Sequence, residues 1–326
     1  MKRNHPTKPL PFRAWIKVLL AAAVCLQAGL VWSEEIVHVG FSRSIVGEVN
    51  ENDTMAAIKL WSTKLVVTDS FPVNVQPKIY EGVREIEIAL KNGMIDLINL
   101  SAVEFFDLQH LIDREPFVVA VYGGSITIEY LLLARKESRF ADIKDLKGGF
   151  LKFSKNAKTV LSTIWLDVKL AEAGLPSAEH FFDKMVSANK SSAALLPVFF
   201  GKADACLVTR RGFDTMAELN PQILHQLKIL AASKAYVPGF LGFRKNYQSR
   251  IKTIMLNNIE NWDQTPAGGQ ILTIFQMDDL TFQPFESLVP TMELIKKHRR
   301  LFGADTKASR LESGTWQNKY RLVGLK

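Results

Sequence analysis

Residues 86–101 read IEIALKNGMIDLINLS, and this stretch decides the fold. Val83–Lys91 has the apolar spacing of an amphipathic helix, and Asn92–Gly93 is its stop signal. Ile95–Leu100 then reads as a short buried strand. Upstream lie a strand in EIVHVGF (35–41), a helix over Thr54–Leu65 and a strand in PVNVQPKIY (72–80). The order β-α-β-α-β predicts a mainly parallel sheet with right-handed crossovers.

Downstream, Ile126–Ala134 (ITIEYLLLA) is rich in strand formers, and DIKDLKGG (142–149) is a charged turn. The pattern then restarts. Strands are expected at Phe150–Phe153, Lys184–Ser187, Asp204–Val208 and Lys228–Ala232. Helices are expected at Thr159–Glu172, ended by Gly174, and at Ser191–Phe200, ended by Gly201. Beyond AYVPGFLGFRK (235–245) the chain reads as mostly helical, through Arg250–Trp262, Gly269–Phe275 and a basic segment at Lys296–Arg300. Two α/β units with a long strand at each crossing predict two lobes joined by two hinge strands. Lobe one is 34–125 plus 236–326, and lobe two is 126–235.

Residues 1–33 stand apart. Lys2, Arg3, Lys8, Arg13 and Lys17 lead into LLAAAVCLQAGLVW with no acidic residue, the layout of a secretory signal. Val31 and Ser33 fit a cleavage site, which starts the mature chain at Glu34 and places it in the periplasm. An uncleaved anchor is the alternative, although the run is short for a spanning helix. Val24 before Cys25 is larger than a lipobox position usually holds. The net charge of +8 over 326 residues falls to +3 once the five leader cations are removed. That balance argues against a nucleic-acid partner, which calls for a concentrated basic face. Cys206, the single mature cysteine, reads as a buried structural thiol.

Signatures of catalysis are poor. His38, His110, His180, His225 and His298 show no metal-pair spacing, and no GxSxG, phosphate-loop or GxGxxG string occurs. His38 reads as a structural histidine within a strand. Asp96 and Asp204 start strands and read as turn carboxylates. No cofactor or metal is expected. The loops at strand ends are more informative: Ser42, Arg43 and Ser44; Asn99 and Ser101; Lys158 and Thr159, with Ser154, Lys155 and Asn156 beside them; and Lys190, Ser191 and Ser192. Thr209–Arg211 is a further such loop. In open α/β sheets ligands sit beyond the carboxyl ends of the strands, and helix starts with added cations favour anions. Each loop alone also fits a helix cap or a solvated charge.

Three strings carry a resemblance: IEIALKNGMIDLINLS (86–101), EYLLLARKESRFADIKDLKGGFLKFS (129–154) and SSAALLPVFFGKADACLVT (191–209). From about residue 36 to 275 the chain resembles the phosphonate-type periplasmic solute-binding proteins of ABC transporters. The resemblance implies the type 2 periplasmic binding protein fold, two α/β lobes joined by two hinge strands. It implies a small anionic ligand and an ABC permease partner; a membrane sensor kinase or cyclase is the alternative partner, and an enzyme on the same fold is a weaker reading. The departures lie in the site. Where the family has Gly-Pro and Ser-Tyr, this chain has Ser101–Ala102 and Glu104–Phe105. The Ser-Thr-Ser-Gly at the lobe-two helix start reads Lys158, Thr159, Val160, Leu161, and the Ser-His-Asp before the next helix reads Lys190, Ser191, Ser192. Val83 stands where the family has a cleft tyrosine. Val160 and Leu161 obstruct backbone approach to an oxyanion, and Glu104 near the cleft would repel a dianion. FSRSIVGEVNENDTMAAIKLW (41–61) is similar to divergent, orphan members. The expectation is a family fold with an altered ligand.

Overall fold

The computed structural model describes residues 35–46, 55–56, 59–60, 73–259, 264, 269, 272–273 and 275–303. The expected leader, its expected cleavage site and Cys25 lie outside these residues. So do most of the helix expected over 54–65 and parts of those at 250–262 and 269–275. No helix among the described residues is long and apolar enough to cross a membrane.

The first run of elements is β1 (Glu35–Ser42), α1 (Arg43–Val46), β2 (Val73–Tyr80), α2 (Val83–Lys91), β3 (Leu97–Ser101), α3 (Ala102–Leu108) and β4 (Phe117–Val121). The chain then crosses into β5 (Tyr130–Arg135), β6 (Phe150–Ser154), α4 (Ser162–Glu172), α5 (Ala178–Phe181), β7 (Lys184–Ala188), α6 (Ser191–Phe199), β8 (Ala205–Thr209), α7 (Arg210–Leu219), α8 (Gln222–Gln226) and β9 (Leu227–Ala232). It returns through β10 (Gly239–Phe243), α9 (Arg250–Ile259), β11 (Asp279–Gln283) and α10 (Val289–Phe302).

Two sheets result, ordered β11-β4-β10-β3-β1-β2 and β7-β6-β8-β5-β9. The β2-β1-β3 and β7-β6-β8 ladders are parallel, and the remaining pairings are antiparallel. Each sheet has apolar clusters on both faces. Strands covered on both faces carry continuous apolar runs, which is why all five residues of ACLVT in β8 are buried.

One device sets the strand register in both sheets. Gly93 and Gly201 each follow a helix end at φ +69°, a conformation that suits glycine. Three residues later an aspartate accepts the backbone N–H of the neighbouring strand. Asp96 accepts from His38 at 3.0 Å, and Asp204 accepts from Phe150 at 2.8 Å. Asp96 also meets His38 Nδ1 at 3.2 Å and Arg244 at 3.3 Å. These carboxylates and His38 are structural, as the sequence indicates. Cys206 is fully buried, and burial pushes its thiol pKa up.

The structure adds β4, β10, β11, α1, α3, α5, α7 and α8 to the elements read from sequence. The strand expected from Ile126 begins at Tyr130. Residues 122–129 instead form a Tyr122–Ser125 turn and a crossing strand segment, in which Ile128 pairs with Tyr236 of the second crossing. Helix α4 starts at Ser162, after a tight 3₁₀ turn at Ala157–Thr159.

Helix α10 touches both lobes. Thr291 exchanges hydrogen bonds with the Val237 backbone in the second crossing. Arg299 forms a two-toothed ion pair with Asp107 of α3. Lys297 reaches Glu172 of α4 at 2.6 Å, and His298 meets Asp167 of α4. Leu294 and Ile295 belong to the apolar cluster of Ile164, Trp165 and Leu166, together with Ala102 and Val103 of α3.

Candidate functional site

A cavity of about 120 Å³ lies where the carboxyl ends of β1 and β3 face the loop after β6. Its apolar walls include Phe41 and Ile45, Val118 and Ala120 of β4, and Phe240 and Leu241 of β10. Pro238, Gly239, Phe275, Met277 and Leu280 complete the lobe-one side. Lobe two contributes Ala157 and Lys158. Among the described lining residues, Asn99 supplies an amide, Tyr122 a phenol and Lys158 the one cation.

Lys158 reaches across to lobe one. Its Nζ donates to the Gln276 carbonyl at 3.1 Å and sits 4.4 Å from the centre of the Tyr122 ring. Gln276 holds φ +53°, an uncommon left-handed conformation for a residue with a side chain. Burial lowers the Lys158 pKa; Arg211 lowers it further, while Asp278 raises it. The Tyr122 hydroxyl is pushed up to about 12 by burial, so it stays neutral. A second contact across the cleft joins Arg211 and Asp278 at 3.8 Å. Asp278 also accepts the backbone N–H groups of Gly123 and Gly124, whose φ values are +63° and +75°. Consecutive N–H groups in such a turn form an anion-accepting nest, here filled by the protein's own carboxylate.

The serines at the ends of β1 and β3 converge on Glu104. The Ser42 hydroxyl donates to Glu104 Oε1. The Ser44 hydroxyl at 2.9 Å, the Ser101 N–H at 2.9 Å and the Ser101 hydroxyl at 2.8 Å all reach Oε2. Ser101 and Glu104 form a capping box at the start of α3. Glu104 is 4% exposed. It is a buried carboxylate held by four donors beside the cleft, where the sequence reading places it.

The residues singled out from sequence thus separate into groups. Asn99 and Lys158 line one cavity. Ser42, Ser44 and Ser101 adjoin it and bind Glu104. Arg43 pairs with Glu81, its Nε 3.0 Å from Oε1. Thr159 turns inward, accepting from Asn156 N–H at 2.8 Å and donating to the Asn156 carbonyl at 3.1 Å. Lys190, Ser191 and Ser192 open α6 outside the lining, with Ser191 packed against Gly212. Ser154, last in β6, is buried with no hydrogen-bond partner among the described residues. The sequence reading missed the apolar walls, since Phe41 and Phe240 are indistinguishable from core residues in their strings. It also missed the Ser101–Glu104 box, whose three-residue spacing was a usable signal.

A protein-family model described as "ABC transporter, phosphonate, periplasmic substrate-binding protein" matches residues 65–286. Among solved structures, a Xanthomonas citri protein bound to chloride ion is similar at TM-score 0.57 and 14% identity, covering 82% of this chain and 98% of that one. PhnD1 from Prochlorococcus marinus in complex with methylphosphonate is similar at TM-score 0.56 and 16% identity, covering 82% and 99%. A binding-protein component of a phosphonate ABC transporter from Pseudomonas aeruginosa is similar at TM-score 0.55 and 13% identity, covering 86% and 94%. At such identities the structural likeness establishes the fold, mixed α/β in two sheets of the type 2 periplasmic binding kind. With the family model spanning more than half of the sequence, the chain belongs to the phosphonate-type periplasmic substrate-binding proteins of ABC transporters.

Proposed function

We propose that this protein captures a small ligand between its lobes and hands it to an ABC permease. The observation that carries the reading is the cavity shared by Asn99 of lobe one and Lys158 of lobe two. A site split between two lobes couples ligand binding to lobe closure, which a permease can sense. The lobes are 34–125 plus 236–326 and 126–235, with α10 spanning them. The leader is removed after Ser33, and the mature protein acts in the periplasm.

The test is to express the full chain, collect the exported protein and identify the small molecules that leave it on denaturation. Returning each to the stripped protein should shrink the particle in small-angle scattering. Unchanged scattering with every fraction of a periplasmic extract would remove the reading. N-terminal sequencing of the same sample should begin at Glu34; a start at Met1 or Cys25 would reject the cleavage site.

A further inference from the structure

We propose that the cleft selects a ligand with a short apolar body and one acidic group, a small monocarboxylate, and rejects compact dianions. This deepens the proposed function and rests on it. The walls contributed by Phe41, Ile45, Val118, Phe240 and Leu241 offer no polar side-chain atoms. A cavity of about 150 Å³ with comparable walls accommodates benzene. The 120 Å³ here therefore suits roughly four to six carbon atoms.

A multiply charged oxyanion needs many donors, and the serine and backbone N–H donors beside this cavity are occupied. Ser42, Ser44 and Ser101 point at Glu104, and the Gly123–Gly124 nest holds Asp278. Two internal carboxylates stand where an external anion would look for partners. A dianion would also meet their negative field. What remains on the described lining is the Lys158 ammonium, the Asn99 amide and the neutral Tyr122 hydroxyl. That set matches the charge and hydrogen-bonding capacity of one carboxylate. Arg211 faces Asp278 and lies outside the lining, while Lys158 gives one of its three N–H donors to the Gln276 carbonyl and keeps two for a ligand. A cationic ligand would face the like charge of Lys158, and Glu104 is buried among four donors of its own.

Calorimetry on the exported protein tests this with pentanoate, hexanoate and benzoate against methylphosphonate, inorganic phosphate, pentylamine and 1-pentanol. One or more carboxylates should bind at one per chain, more tightly than every other probe. Lys158→Met should weaken the carboxylate by about tenfold to a hundredfold, the loss of a charge-assisted hydrogen bond, and leave 1-pentanol unchanged. Asn99→Ala should weaken the carboxylate too, which guards against a misfolded Lys158 variant. Tighter binding of phosphate or methylphosphonate than of all three carboxylates would overturn the ligand class and leave solute capture standing. Failure of every carboxylate would likewise overturn the class. Solute capture itself falls with the scattering experiment on periplasmic extract.

Discussion

His298 Nε2 of α10 and Asp167 Oδ2 of α4 lie 3.1 Å apart, with both side chains buried. Asp167 Oδ1 meanwhile accepts the Ala178 N–H at 2.7 Å, so one carboxylate ties α10 to the start of α5. Asp167→Ala strands two buried donors and should cost about 2–4 kcal/mol in urea unfolding. Asp167→Asn, which can still accept from one partner, should cost less. Equal losses for the two would contradict this arrangement.

The paired glycine–aspartate turns make a second prediction. Asp204→Ala leaves the Phe150 N–H without its acceptor and should destabilise the fold by about 1–3 kcal/mol. Gly201→Ala adds a side chain at φ +69° and should cost about 1 kcal/mol. The two residues serve one turn, so the double variant should lose less than the sum. Chemical denaturation of the four proteins decides it.

Much of this architecture was legible because local signals agreed with it. Asn92–Gly93 and Gly201 mark helix ends by backbone preference alone, and buried parallel strands advertise themselves as apolar runs. Strands β4, β10 and β11 were not legible. They pair with partners far away in sequence, and FLGF in β10 carries glycine where a strand former would be looked for. The polar part of the candidate cavity was legible at Lys158, in the loop after β6, and at Asn99, a polar residue within the apolar string of β3. It was obscured at Ser42, Ser44 and Ser101, because a hydroxyl looks the same in sequence whether it awaits a ligand or already serves Glu104.

Glu104 can be tested by chemical rescue. Glu104→Ala removes the carboxylate that four donors converge on, and should destabilise the protein by about 1–3 kcal/mol. Formate should restore part of that loss in thermal melts, while equal chloride restores less and the parent responds to neither. A melt of the variant that ignores formate would show that the donors do not remain in place without Glu104.

Lys158 sets a pH dependence with a defined sign. Its folded-state pKa is lowered from 10.5, first by burial and then by Arg211. The charged amine therefore costs stability below the folded pKa, and this cost fades as pH rises toward 10.5. The parent should gain stability relative to Lys158→Met between neutral pH and 10.5, as read by urea unfolding at both. Over the same range carboxylate affinity should fall, since the ammonium is lost at lower pH than from an ordinary lysine.

Helix α10 also limits how this protein can be cut and recombined. Leu294 and Ile295, from the far end of the chain, share a core with Trp165 and Leu166. A fragment made of 126–235 alone would present that apolar face to water, and a chimera that grafts those residues onto another scaffold would have to import 289–302 as well. The unit of exchange between relatives is then a discontinuous set, lobe two with its borrowed helix. Supplying a 289–302 peptide in trans should solubilise the isolated fragment.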